Sequence, residues 1–295
     1  MLPIELPETE EFVEKQKVNP KNKINELTGK EWIQLSKSFW RQKGLGKNHK
    51  HAEIEKMHPA PFSYQDIQKL IELFTKKGMT VLDPFCGVAS TLKAAAMVER
   101  NGIGIELTKN WVDLGKERLE KEVPISILQK TSQKIIHGDA RTELKKLKPN
   151  SIDYIVTSPP YWRILNKKPD YKVLKERINN GYATKYSENE KDLGNIKEYK
   201  EFLKELKGII KKTRRVLRPG RYFSIIVSDF RHKSNFTAYH KDVIDLFLDV
   251  GYKLEGITIL LQDHKQLFPY GYPYAFVQNI HHQYILTFMR PKEDE

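Results

Sequence analysis

Ser158-Pro159-Pro160-Tyr161 is the stretch whose residue types and order imply chemistry most directly. Proline fixes φ and carries no N–H, and the residue before a proline is held extended. Two prolines in a row therefore make a stiff corner whose carbonyls point outward as acceptors. Ser158 adds a hydroxyl and Tyr161 a flat aromatic face. An amino group on a planar ring fits such a corner. The apolar run Ile152-Asp153-Tyr154-Ile155-Val156-Thr157 precedes it and reads as a buried strand. The corner thus sits at a strand end, where open α/β sheets bind their ligands. A plain proline turn with a packed tyrosine is the bland alternative, and three acids upstream weigh against it.

The first acid, Asp83, ends Val81-Leu82-Asp83 and leads through Pro84-Phe85-Cys86-Gly87-Val88-Ala89 into a helix at Ser90-Thr91. This is the phosphate-binding position of a dinucleotide fold, but the G-x-G-x-x-G glycines are missing. A carboxylate at the strand tip repels phosphate and suits a cationic or donor-rich ligand. Glu106 ends the next strand, where an acid commonly holds a ribose diol. Asp139, in His137-Gly138-Asp139-Ala140, ends a third, and a carboxylate accepts from an exocyclic amine. Singly, each acid reads as a cap or turn residue; in succession they would line one pocket. S-adenosylmethionine presents the matching groups: an ammonium, a ribose diol and an adenine amine. Cys86 reads as a small packed residue rather than a nucleophile.

The elements that must position these groups alternate. Strands at Met79–Asp83, Gly102–Glu106, Lys134–His137 and Ile152–Thr157 are interleaved with helices at Ser90–Arg100 and Thr108–Lys121. A helix near Ser63–Thr75, with Ser63 as N-cap, precedes them. After an irregular stretch at 162–195, a helix is expected near Ile196–Leu217 and a strand at Arg221–Val227. A helix near Phe236–Val250 ends at Gly251, and strands follow near Tyr252–Leu261 and His282–Arg290. The alternation means an α/β fold, a mostly parallel sheet covered by helices. Residues 1–55 read as a helical and basic extension, with helical spacing around Glu31–Leu35 and Phe39-Trp40. Residues 56–295 read as the catalytic domain, with 162–195 inserted in it.

The chain of 295 residues carries a net charge of +13, which suits a polyanionic partner, most simply nucleic acid. A lysine-rich surface from a biased genome is the alternative. One cysteine excludes an internal disulfide and a multi-cysteine metal site, and a reducing cytoplasm is the natural compartment. No apolar run reaches the roughly 20 residues of a membrane span, and Met1 to Glu11 lacks a signal-peptide core. No metal is expected: His49, His51, His281 and His282 have no further ligands at recognised spacing.

Asp83-Pro84-Phe85-Cys86-Gly87 followed by Ser158-Pro159-Pro160-Tyr161-Trp162 resembles the S-adenosylmethionine-dependent DNA amino-methyltransferases, which methylate cytosine N4 or adenine N6. Arg215 to Gly220 looks like that family's helix-to-strand turn, and His282 to Phe288 like its last strand. The resemblance covers about residues 56–290. It implies a Rossmann-like seven-stranded class I methyltransferase sheet with an antiparallel last strand and helices on both faces. It puts Asp83, Phe85 and Gly87 at the methionine portion, Ser90 and Thr91 near its carboxylate, Glu106 at the ribose and Asp139 at the adenine, with Pro84, Cys86, Leu107 and Ala140 also among the cofactor-binding residues. His58, Pro61 and Phe62 would close over the methionine end. Ser158 to Tyr161 would form the catalytic corner, tilted by its serine toward cytosine N4. Double-stranded DNA is the implied partner, with a cognate restriction endonuclease where the enzyme serves a restriction–modification system, as a monomer or homodimer. Ala89 stands where the family often has a second glycine, and Arg221 where it usually has another. The cofactor motif also precedes the catalytic motif here, the reverse of many serine-type enzymes.

Arg163, Lys167, Lys168, Tyr171, Lys172, Lys175, Arg177, Tyr182, Lys185 and Tyr186 interleave charge with aromatic faces, as a phosphate-tracking surface does. Lys43, Lys47, His49, Lys50 and His51 form a second basic patch, and Phe268 to Tyr274 an aromatic loop that either borders the base pocket or packs. Adenine N6 is the alternative target. An RNA guanine amino-methyltransferase usually has an acid or Asn before the prolines, and a protein glutamine methyltransferase has Asn at position 158. A nucleic-acid-binding module without activity would have no need of the three acids.

Overall fold

The computed structural model describes residues 17–42, 53–58, 63–164, 178–179, 187–232, 235–263 and 265–292. The basic patch at 43–51, Pro61, Phe62 and most of the 163–186 stretch lie outside them.

The parallel sheet begins at β2 (Thr80–Asp83), β3 (Asn101–Glu106), β4 (Gln133–His137), β5 (Ile152–Thr157) and β6 (Leu217–Val227). β9 (Lys253–Leu261) and the antiparallel β10 (His282–Met289) complete the expected seven strands. An eighth, β1 (Phe39–Arg41), adds in parallel to β9. The order is β1-β9-β10-β6-β5-β2-β3-β4. The chain runs outward from β2 to β4, then returns to β5 on the other side of β2. Between β2 and β5 the winding reverses, which is where open α/β sheets leave a crevice for ligands.

β5 is buried at every position, as a central parallel strand covered on both faces must be. Tyr154 and Val156 face α3 (Tyr64–Phe74) and α4 (Ser90–Met97), packing with Ile67, Leu70, Ile71, Ala94 and Ala95. Ile155 faces the opposite layer of α7 (Ala140–Lys146), α8 (Tyr199–Val216) and α9 (Tyr239–Asp249). α8 turns Phe202, Leu206, Ile209, Ile210, Thr213 and Val216 inward, the three-and-four spacing of a one-faced helix. The smaller helices are α1 (Gly29–Leu35), α2 (Glu53–Met57), α5 (Lys109–Glu122) and α6 (Ile125–Leu128). No described helix is long and apolar enough to cross a membrane.

Three local expectations change. Phe39-Trp40, expected to be helical, lies in β1. Its burial alternates, with Trp40 inward between Phe39 and Arg41, and tertiary pairing with β9 overrides the local pattern. Pro219-Gly220 does not precede β6 but lies inside it. The register jumps from Ile152↔Leu217 to Tyr154↔Tyr222, so the extra residues loop out as a bulge. Phe236 belongs to β8 (Asn235–Thr237), which pairs with β7 (Phe230–His232), and α9 starts after it. Ser63 holds the N-cap position of α3 without a side-chain bond to the first turn.

Candidate active site

A cleft of about 840 Å³, counting the space at its mouth, opens at the C-terminal ends of β2 to β5. Its walls include His58, Pro84, Phe85, Cys86, Gly87, Ser90, Glu106, Leu107, Asp139, Ala140, Ser158 and Pro160. Groups from four strand ends thus meet in one space. Asp83, Thr91, Pro159 and Tyr161 do not line it.

Asp83 is fully buried behind the first turn. One carboxylate oxygen accepts from Thr157 Oγ1 at 2.6 Å and from the Phe85 N–H at 3.0 Å, and the other from Thr91 Oγ1. Burial pushes its pKa up to about 6 against these bonds. Its carboxylate therefore ties the end of β5 to the turn after β2, coupling the two halves of the site. In that turn Gly87 has φ 47°, and a Cβ there would come within 3.0 Å of His58 Nε2. Ala89 takes the left-handed conformation, φ 62°, so the turn into α4 keeps a glycine-like path without the glycine.

Glu106 stands at the tip of β3. One oxygen accepts from the Gly87 N–H at 2.9 Å and the other from the Thr108 N–H at 2.8 Å. Burial pushes its pKa up to about 7. Asp139 caps α7 by accepting from the Arg141 N–H at 2.8 Å, and it also receives the Arg141 guanidinium at 2.7–3.0 Å. Burial alone would raise its pKa, but Arg141 outweighs burial and holds it below the ordinary value. Arg141 in turn reaches Glu205 and the Lys191 carbonyl. Cys86 is buried, and burial, then the nearby Glu106 and Asp83, drive its thiol pKa up. A Cβ on Gly104 would meet Cys86 Sγ at 2.6 Å, so the cysteine packs into the space that glycine leaves.

At the corner, Ser158 and Pro160 face the cleft while Pro159 is buried. Ser158 Oγ lies 3.5 Å from the Tyr161 hydroxyl, which also accepts from Gln283 Nε2 at 2.9 Å. The Tyr161 ring packs edge-on against Tyr239, with centroids 6.2 Å apart. Trp162 ends the corner at φ 27°, and its indole donates to the Ile196 carbonyl at 2.9 Å.

The sequence reading missed several wall residues: Val88, Thr108, Trp111, Arg141, Asp192, Leu193 and Ile209. Arg141 had a signal, two residues after Asp139 at a helix start. Asp192 and Leu193 had none, because they come from the stretch assigned wholly to a DNA-contacting insertion. Below the turn, Arg118 donates to Ser90 Oγ at 2.8 Å and to Glu122 and Glu55 at 3.0 and 2.7 Å, and Glu122 also binds Lys93 at 2.6 Å. This buried ionic group braces the floor under Ser90.

The chain matches the DNA methylase family over residues 7–117 and 152–294. It is 37% identical over 75 residues to the type II methyltransferase M.MjaI of Methanocaldococcus jannaschii, covering 25% of this chain and 24% of that protein. It is 36% identical over 97 residues to the type II methyltransferase M.BglI of Bacillus subtilis, covering 32% and 26%. The chain spans about a quarter of the length of these relatives. A SAM-dependent methyltransferase from Aquifex aeolicus superposes with a TM-score of 0.44 at 14% identity, over 82% of this chain and all of that one. The breadth of the family match decides the matter: the chain belongs to the DNA methylase family of S-adenosylmethionine-dependent N4/N6 amino-methyltransferases.

Proposed function

We propose that this chain methylates the exocyclic amine of a base flipped out of double-stranded DNA, most specifically cytosine N4, as the modification enzyme of a restriction–modification system in the cytoplasm. The observation that carries the reading is that Ser158 and Pro160 open onto the same cleft as Glu106 and Asp139. An acceptor corner for an amine and acceptors for a nucleoside thus share one wall. The cleft suits S-adenosylmethionine. Phe85, Leu107, Trp111 and Ile209 give apolar surface for the adenine, Glu106 offers a carboxylate for the ribose diol, and Asp139, held ionised by Arg141, offers one for the adenine amine. When bound, the cofactor supplies an electrophilic methyl on a sulfonium.

The chain's own part is to make a poor nucleophile attack. A cytosine or adenine amine delocalises its lone pair into the ring. Ser158 Oγ, which faces the cleft, accepts one of its hydrogens, and a backbone carbonyl of the Pro-Pro corner is to accept the other, which draws the nitrogen toward tetrahedral geometry. The corner thereby frees the nitrogen lone pair toward the cleft; S-adenosylmethionine, when bound there, would supply the methyl and keep the C–S bonding pair as a neutral thioether, and the amine proton would leave to water past Ser158. Placement supplies most of the acceleration. Tyr161 backs the corner from behind the cleft wall, its hydroxyl 3.5 Å from Ser158 Oγ. The tilt toward cytosine rests on the resemblance of the Ser-Pro-Pro-Tyr motif, and no cysteine stands beside the prolines for attack at carbon-5.

The test is transfer of a tritiated methyl group to unmethylated plasmid DNA and to tRNA, followed by nucleoside mass spectrometry. N4-methylcytosine in DNA supports the proposal. N6-methyladenine corrects the target, and label confined to tRNA overturns the DNA assignment.

A further inference from the structure

The loop between β9 and β10 presents Tyr272, Tyr274 and Phe276 to solvent at 81%, 95% and 89% exposure. Residues 266–280 contain no Lys, Arg, Asp or Glu, in a chain that is 30% charged. Aromatic side chains this exposed are costly to leave in water, and clusters of them mark interaction surfaces. The loop holds its own shape. Asn279 clamps its base, accepting from the Phe268 N–H at 3.0 Å and donating to the Phe268 carbonyl at 2.8 Å. The Tyr274 and Ala275 N–H groups both donate to the Gly271 carbonyl at 2.7 Å. The aromatic rings are therefore displayed on a built turn.

Its position says what it meets. β9 runs parallel to β5 and β10 antiparallel, so the loop rises from the sheet edge that carries Ser158. At its foot, Gln283 donates to the Tyr161 hydroxyl at 2.9 Å and Gln262 donates to Gln283 at 3.3 Å. A protein partner seated on the loop would crowd the corner that must admit a base. A loop without charge gains nothing from tracking phosphates, whereas flat rings stack on bases and apolar side chains wedge between base steps.

We infer that Tyr272, Tyr274 and Phe276 enter the DNA duplex beside the target base, stacking on the bases that its extrusion exposes. This rests on the proposed DNA amino-methyltransferase function and adds the surface that opens the duplex.

Photocrosslinking tests it with the whole chain. Tyr274 is replaced by p-benzoylphenylalanine and irradiated with labelled duplex fragments of unmethylated plasmid DNA. In parallel, the Tyr272→Ala, Tyr274→Ala, Phe276→Ala triple variant is assayed for methyl transfer to the plasmid and for S-adenosylmethionine binding by calorimetry. The expected result is a crosslink to DNA and roughly a tenfold or greater loss of kcat/KM for DNA, with cofactor affinity unchanged. A crosslink only to a second copy of the chain, no crosslink, or a triple variant that methylates at the wild-type rate overturns the inference while leaving the methyltransferase reading intact. If the wild-type chain methylates no DNA, that reading falls on its own, and the crosslink still decides whether the loop meets a duplex.

Discussion

Gln283 Nε2 donates to the Tyr161 hydroxyl at 2.9 Å, so a strand near the end of the chain holds the corner folded from its middle. Gln262 Nε2 extends the link, donating to Gln283 at 3.3 Å and to Gln42 Oε1 at 2.8 Å. Gln42 follows β1, so the N-terminal segment reaches the corner as well. Gln283→Leu removes two neutral hydrogen bonds, the one to Tyr161 and the longer one from Gln262, each on the order of 1 kcal/mol. We expect kcat on DNA to fall about fivefold and the unfolding midpoint to drop modestly, with cofactor affinity unchanged. Steady-state kinetics beside calorimetry check this, and an unaltered kcat rejects the role.

On the proposed function, Ser158 and Tyr161 should serve the chemistry and not cofactor binding. Ser158→Ala leaves the Glu106 and Asp139 side of the cleft intact and removes one acceptor for the amine. Methyl transfer should drop by at least roughly a hundredfold, and Tyr161→Ala should do likewise, while each variant still binds S-adenosylmethionine. Single-turnover transfer of labelled methyl reads the first quantity and calorimetry the second. Near wild-type turnover in both variants would sink the assignment.

Glu106 sets a pH dependence. Burial raises its pKa from 4.5 to about 7 in the free protein, and ribose hydroxyls donate best to the ionised form. Affinity for S-adenosylmethionine should therefore rise from pH 6 to pH 8, and Glu106→Gln should flatten the curve. Stability runs the other way. A carboxyl with a raised folded-state pKa binds more protons folded than unfolded between those two values, so the free protein loses stability as pH climbs through that window. Asp83, raised from 3.8 to about 6, adds the same sign at its lower end. Urea titrations at pH 5 and pH 8 test the direction.

Arg118 carries the floor of the cofactor turn. It is fully buried, and its removal leaves Glu55 without its guanidinium partner and Glu122 with Lys93 alone. Arg118→Met should cost about 3 kcal/mol of unfolding free energy. It should also weaken cofactor binding, because Ser90 Oγ loses its donor. Denaturant unfolding and calorimetry measure the two effects, and a loss of stability with no change in affinity would confine Arg118 to the core.

Much of the site was legible because strand-end chemistry is local. A buried run ending in an acid or in Ser-Pro-Pro-Tyr marks its own position in an α/β sheet, and the order of such runs carried the fold class, the alternation and the cofactor-side acids. The sequence by itself determined which groups would stand at the ends of β2, β3, β4 and β5. Only the tertiary structure decided which of them face the cleft. Asp83 turns away from it because Thr91, Thr157 and the Phe85 N–H converge on its carboxylate from three separate elements. β1 joins the sheet because the edge of β9 needs partners, a demand that Phe39-Trp40 cannot signal locally. Gln283 meets Tyr161 because antiparallel β10 returns its first residues to the edge where the parallel strands end. Long-range pairing sets each of these outcomes, and no residue's own propensity encodes where its distant partner will lie.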